Sequence, residues 1–156
     1  MSINWILNFE FLVDNTMKEV KENIIRIKSF DFALMIIALY KQMLEQTEYV
    51  LSKQLLRSGT SIGANVEEAS AAISKKDFIA KMSISAKEAR ETLYWLKLIK
   101  KSKMVTIDVS EILEKSEELI RILTSSVKTS QSSNKWNSAF SIQNSTFEIK
   151  HPAFKI

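Results

Sequence analysis

The chain of 156 residues contains no cysteine, one histidine, one proline and two glycines. The lack of cysteine excludes disulfide scaffolds, thiol nucleophiles and thiolate metal sites. With His151 alone, His-ligated metals and His-based triads are all but removed. So little glycine and proline argues against strands joined by tight turns. No apolar run reaches the roughly 20 residues of a membrane span, and no secretory signal is recognisable at the start. What is present is ordinary: 46% apolar and 26% charged residues, with a net charge of +4. The balance fits one helical domain with a buried core and a mildly basic surface, cytoplasmic and without a membrane partner. It offers no reaction chemistry, so the expectation is a protein that is not an enzyme and carries no cofactor.

The two ends differ from the middle. Residues 1–16 form an N-terminal extension with an apolar cluster, Trp5, Ile6, Leu7, Phe9, Phe11, Leu12 and Val13, expected to dock on the body as a short amphipathic segment. Met17 opens a charged stretch. From residue 129 to 156 a flexible tail rich in Ser, Asn and Thr is expected, because such composition buries too little apolar surface to offset ordering entropy. Trp136, Phe140, Phe147 and Phe154 recur through it, which leaves open a segment that orders on a partner.

Residues 17–128 read as a bundle of four helices. In the first, over Phe30–Gln46, Phe32, Met35, Ile36, Leu39, Tyr40 and Met43 recur at three- and one-residue steps, with Ser29 or Asp31 as the cap. The second spans about Tyr49–Ile73 with the stripe Leu55, Ile62, Val66, Ala69 and Ile73. Its Ser/Thr/Gly-rich middle, residues 57–65, lacks the spacing and the preceding strand of a phosphate loop. Gly59 and Gly63, four residues apart, instead share a face where another backbone can approach. The third helix spans about Lys76–Lys101, capped by Ser74 with Asp77 three residues on. Its small residues Ser85, Ala86 and Ala89 are expected to lie opposite Gly59 and Gly63 in one close crossing. The fourth, about Asp108–Val127, turns Val109, Ile112, Leu113, Ser116, Leu119, Ile120 and Leu123 inward. Short connections imply antiparallel neighbours, and so an all-α, up-down-up-down four-helix bundle.

The third helix also carries the most informative charge pattern. Lys76, Lys87, Arg90, Tyr94, Lys97 and Lys101 fall within an arc of about 80° at 100° per residue. Between Lys75 and Lys103 stand nine basic and three acidic residues, a net of +6 against +4 for the whole chain. A basic stripe with an aromatic in it suits phosphate contact and base stacking; the competing reading is a solvated face. Glu67, Glu68, Glu88 and Glu91 resemble paired carboxylates, yet no histidine accompanies them as in di-metal bundles. They are expected to pair across helices with Arg57 and Arg90, and no metal is expected.

Several motifs together resemble a known family. Phe30-Asp31-Phe32-Ala33 opens the first helix. Residues 51–65, LSKQLLRSGTSIGAN, with Glu67-Glu68-Ala69, fill the second. Ser74-Lys75-Lys76-Asp77-Phe78, residues 86–92, AKEARET, and Tyr94-Trp95-Leu96 mark the third. These resemble, over about Lys18–Thr124, the bacterial four-helix bundle family named for the 23S rRNA intervening sequence, also labelled ribosomal-protein-like. The resemblance implies a left-handed bundle that assembles as a ring-like homopentamer. It also implies kinship with accessory proteins of diversity-generating retroelements, which bind nucleic acid and a reverse transcriptase. Trp95, off the inner stripe, then reads as an oligomer contact, or as a residue covered by one of the chain ends. The function expected is a non-enzymatic oligomeric protein binding RNA, or less favoured DNA, through the basic stripe. The alternative is a protein-protein adaptor ring.

Overall fold

The structure, a computed structural model, describes residues 3–132. Four helices account for nearly all of them: α1 (Ile3–Glu45), α2 (Leu51–Ser70), α3 (Lys75–Ser102) and α4 (Ser110–Ser132). No strand occurs among the described residues. The tail expected from residue 129 is helical as far as Ser132, and its four aromatics lie outside the described residues.

The first helix is much longer than its apolar stripe predicts. Nothing between Ile3 and Glu45 breaks it, since the segment has neither glycine nor proline. Ser29 is therefore not a cap: it is buried inside α1, and its hydroxyl donates to the Arg26 carbonyl at 3.0 Å. No break marks the boundary between residues 16 and 17, and the side chains from Leu12 to Met17 are exposed.

Ends are set by local chemistry. Thr47 adopts a left-handed conformation, φ 60°, and closes α1. The Glu48 N–H reaches the Met43 carbonyl at 3.0 Å and the Thr47 N–H the Leu44 carbonyl at 3.0 Å, the paired bonds of a Schellman ending. Glu48, itself buried, then starts α2. Its carboxylate accepts from the N–H groups of Val50, Leu51 and Ser52 at 3.0, 2.9 and 2.6 Å. Burial pushes this carboxyl up, but the three N–H groups outweigh it and hold Glu48 below the ordinary carboxylate value. Ser74 caps α3 as expected, accepting from the Asp77 N–H at 3.1 Å. The second helix ends three residues before Ile73, which is consequently 84% exposed rather than in the core.

Cross-helix contacts establish the topology. Arg26 meets Glu67 and Ile36 meets Gly59, so α1 and α2 run antiparallel. Arg57 meets Glu91 and Lys81 meets Glu68, so α2 and α3 do too. Arg90 reaches Thr124 and Lys100 reaches Ser110, reversing α4 against α3. Lys28 pairs with Glu118 at 2.5 Å, and the Thr106 N–H donates to Gln46 at 2.8 Å, closing α4 back onto α1. The result is the up-down-up-down bundle.

The core runs along the centre: Phe32, Ile36, Leu39 and Met43 of α1; Leu55, Ile62 and Val66 of α2; Phe78, Met82, Leu96 and Ile99 of α3; Leu119 and Leu123 of α4. Each such side chain contributes roughly 1.5–3 kcal/mol when fully buried.

The expected crossing of small residues is divided between two interfaces. Gly59 and Gly63 face α1, not α3: a β-carbon on Gly59 would stand 2.7 Å from Ile36 Cγ1, and one on Gly63 3.4 Å from the Ser29 carbonyl oxygen. On the α3 side the contact is polar. Ser85 donates to the Ile62 carbonyl at 2.9 Å, and the Thr92 and Ser58 hydroxyls lie 3.0 Å apart, all with no exposed surface. Ala89 instead admits α4, whose Ser116 hydroxyl reaches its carbonyl at 3.4 Å. Ala86 is buried one turn away. The reason is angular. The glycines lie one to three residues off the α2 face that holds Ser58 and Ile62, which turns them toward a different neighbour.

Candidate nucleic-acid interface

Lys76, Lys87, Arg90, Tyr94, Lys97 and Lys101 are all exposed. The third helix is unbroken from Lys75 to Ser102, so the six side chains keep the common face that their spacing predicts. Opposite them on the same helix, Phe78, Met82, Ser85, Ala89, Leu96 and Ile99 are buried and fix its rotation.

The six are not equivalent. Arg90 is held in place: its guanidinium donates to the Ala86 carbonyl at 2.8 Å and to the Thr124 hydroxyl at 2.9 Å. It pairs with no glutamate among the described residues, contrary to expectation. Lys97 lies 3.7 Å from Glu117 of α4, so a carboxylate answers its charge. Tyr94, 58% exposed, stands edge-on to Trp95 with ring centroids 5.0 Å apart. Trp95 is half-buried against the core, and its indole N–H donates to Glu91 at 3.3 Å.

The neighbouring helix decides where the positive field is strongest. Its first half carries Glu111, Glu114, Glu117 and Glu118, and its second half Arg121 and Lys128. Because α4 runs antiparallel to α3, the acidic half lies beside Lys97 and Lys100 and the basic half beside Arg90. Between the helices at that basic end is a shallow, solvent-open groove of about 490 Å³. Arg90, Arg121 and Lys128 line it with the hydroxyls of Thr124, Ser125 and Thr129, over Ile120. No carboxylate is among its lining residues. Three cations with hydroxyl donors around an open groove suit oxyanions of a phosphodiester backbone. Sequence reading missed Arg121 and Lys128, which are seven residues apart and thus on one face of α4. That spacing was a usable signal, but only the packing joins it to the α3 stripe.

Three of the four glutamates, Glu67, Glu68 and Glu91, are spent on pairing. Glu67 binds Arg26 in a two-point contact at 2.9 and 3.1 Å, Glu68 binds Lys81, and Glu91 meets Arg57 at 3.1 Å. One oxygen of Glu88 is buried without a hydrogen-bond partner. Among the described residues no group of three His, Cys, Asp or Glu is placed to share a metal ion, and no helix is long and apolar enough to cross a membrane. His151 lies outside the described residues.

No curated protein matches the chain. A solved structure from Bacteroides thetaiotaomicron, a protein of unknown function from the S23 ribosomal protein family, is 47% identical. The match covers 69% of this chain and 98% of that one, with a TM-score of 0.67. The family model described as 23S rRNA-intervening sequence protein matches residues 21–125, from the second half of α1 into the last turns of α4. With α2, α3 and most of the core of α1 and α4 inside that span, the chain belongs to the 23S rRNA-intervening sequence protein family.

Proposed function

We propose that this protein is a non-enzymatic, oligomeric, cytoplasmic protein that binds RNA across the basic face of α3 and the second half of α4. The observation carrying this reading is the groove in which Arg90, Arg121 and Lys128 converge from two helices with no carboxylate among the lining residues. Lys87, one turn before Arg90, extends the track, and Tyr94, one turn after it, offers a ring for base stacking. The family's description ties it to an rRNA insertion, which favours RNA over DNA. Single-site phosphate contacts are weak, and a symmetric ring such as a homopentamer would repeat the face and raise affinity by avidity.

The test is binding of fluorescent single-stranded RNA and DNA oligonucleotides across a salt series. Log affinity should fall linearly with log salt, by about 0.7 per phosphate engaged. Replacing Arg121 and Lys128 with Gln should weaken binding and flatten that slope. An affinity insensitive to salt and to these changes would sink the reading.

A second reading, an adaptor ring for another protein such as a reverse transcriptase, draws on the exposed apolar residues of α1. It predicts binding that salt hardly weakens.

A further inference from the structure

The positive face shared by α3 and α4 stops abruptly. Residues 97–118, from the end of α3 through the first half of α4, carry five lysines and five acids, a net charge of zero. From Leu119 to Ser132, α4 carries Arg121 and Lys128 and no acid. Glu118, the last acid, lies within the field of Arg121, but its oxygens are engaged by Lys28 at 2.5 Å and Lys115 at 3.9 Å. Among the described residues neither Arg121 nor Lys128 has a carboxylate within ion-pair distance. Lys87 and Arg90 add two more cations from α3 at the same level of the bundle.

Within the groove three cations close on one place rather than follow a line. Arg121 and Lys128 are two turns apart, about 10.5 Å along α4. Arg90 enters from α3 at the turn between them, where its guanidinium donates to the Thr124 hydroxyl at 2.9 Å. A second bond, to the Ala86 carbonyl at 2.8 Å, holds it there. The long side chains of Arg121 and Lys128, one turn away on either side, reach the same place. The hydroxyls of Ser125 and Thr129 line it as well. Tyr94 follows Arg90 by one turn of α3. With α4 antiparallel, it stands level with Ile120, at the edge where the acids begin.

We propose that this groove holds the phosphorylated end of an RNA strand, with the terminal phosphate monoester among Arg90, Arg121 and Lys128 and the first base against Tyr94. The proposal rests on the RNA-binding reading and narrows it from RNA in general to RNA ends. Each phosphodiester carries one negative charge. A monoester near neutral pH carries about 1.5–2 and offers three acceptor oxygens. The monoester and the next diester together thus bring about three negative charges to three cations. A strand in passage needs positive surface on both sides of the groove. Here positive surface continues only past Lys87 and Lys128, because on the other side Glu117 already answers Lys97 and the charges sum to zero. A basic site open on one side fits the end of a strand better than its middle.

The test is fluorescence anisotropy on the full chain with one RNA sequence, labelled on an internal base, in four forms: 5′-phosphorylated, 3′-phosphorylated, hydroxyl at both ends, and a covalently closed circle. One phosphorylated form should bind at least about tenfold tighter than the hydroxyl form and the circle, the worth of one added charge-assisted hydrogen bond. Which form wins names the end. That ratio should shrink between about pH 7.5 and pH 5.5, as the monoester takes up its second proton near pH 6 while arginine and lysine stay charged. Arg121→Gln/Lys128→Gln should bring the ratio close to one. Lys53→Gln, on the exposed side of α2, should leave it unchanged, with helicity checked for both variants. Failure of every form to bind overturns the RNA-binding reading and the end site with it. A circle that binds as tightly as either phosphorylated form overturns the end site and leaves RNA binding standing. A preference that survives Arg121→Gln/Lys128→Gln intact, or that does not change with pH, overturns it equally.

Discussion

The side chain of Ile36 fills the space a β-carbon on Gly59 would need: its Cγ1 lies 2.7 Å and its Cγ2 2.9 Å from that point. Both atoms belong to the branched, rotamer-restricted part of isoleucine, which cannot swing aside cheaply. Gly59→Ala should therefore cost about 1–3 kcal/mol by overpacking. At Gly63 the nearest atom, the Ser29 carbonyl oxygen, would be 3.4 Å away, an ordinary contact. Gly63→Ala should be neutral or stabilise by up to about 1 kcal/mol through helix propensity. Urea denaturation of the two variants checks this, and stabilisation by both would show that α1 is not closely packed at Gly59.

Glu48 should give the bundle an acid limb. Its carboxyl lies below the ordinary value in the fold because N–H groups at the start of α2 outweigh the burial that raises it. A depressed carboxylate contributes stability that is complete above its unfolded value and is lost as pH falls through the folded one. Glu48→Gln should cost about 0.5–2 kcal/mol near neutral pH, as other lost helix caps do. The gap from the parent should narrow below about pH 4, where the parent's carboxyl takes up its proton. A gap that stays constant down to acid pH would assign the cost to packing alone.

Ser58 and Thr92 bridge α2 and α3 in a site without solvent, their hydroxyl oxygens 3.0 Å apart. Thr92→Val keeps the shape and removes one hydroxyl, and should cost about 1 kcal/mol. Ser58→Ala should cost a similar amount, and the double variant less than the two losses together, since each single change removes the same contact. Strict additivity in thermal unfolding would mean that each hydroxyl is satisfied by its own helix.

The two ends of the basic face should behave differently toward RNA. Arg121→Gln/Lys128→Gln removes two cations from the groove and should lower the salt slope by about 1.4, two phosphate contacts' worth. Lys97→Gln/Lys101→Gln should lower it by less, because Glu117 already answers Lys97. Tyr94→Ala should weaken binding by about 1–3 kcal/mol if a base stacks there, without changing the slope. Equal slopes for both double variants would place the nucleic acid along the whole of α3.

Much of this molecule can be read from residue order alone. Helix faces with 3.6-residue periodicity, the Ser74 cap and the exposure of the α3 stripe all follow from spacing along one element. Spacing says which residues share a face and is silent on what that face meets. Hence spacing turns the glycines of α2 toward α3, whereas they touch α1, and matches Arg90 with a glutamate, whereas it binds Thr124. The length of α1 escapes the pattern for a related reason. Where its stripe leaves the core, the apolar residues continue on another face, and a pattern tied to a single seam reads this as an end. The basic groove is the clearest case: half of it lies on α3 and half on α4, and only their antiparallel packing sets Arg90 beside Arg121 and Lys128. A one-dimensional pattern carries the angle of a side chain about its own helix axis, whereas the distance between two helices is decided by which ridges fill which grooves.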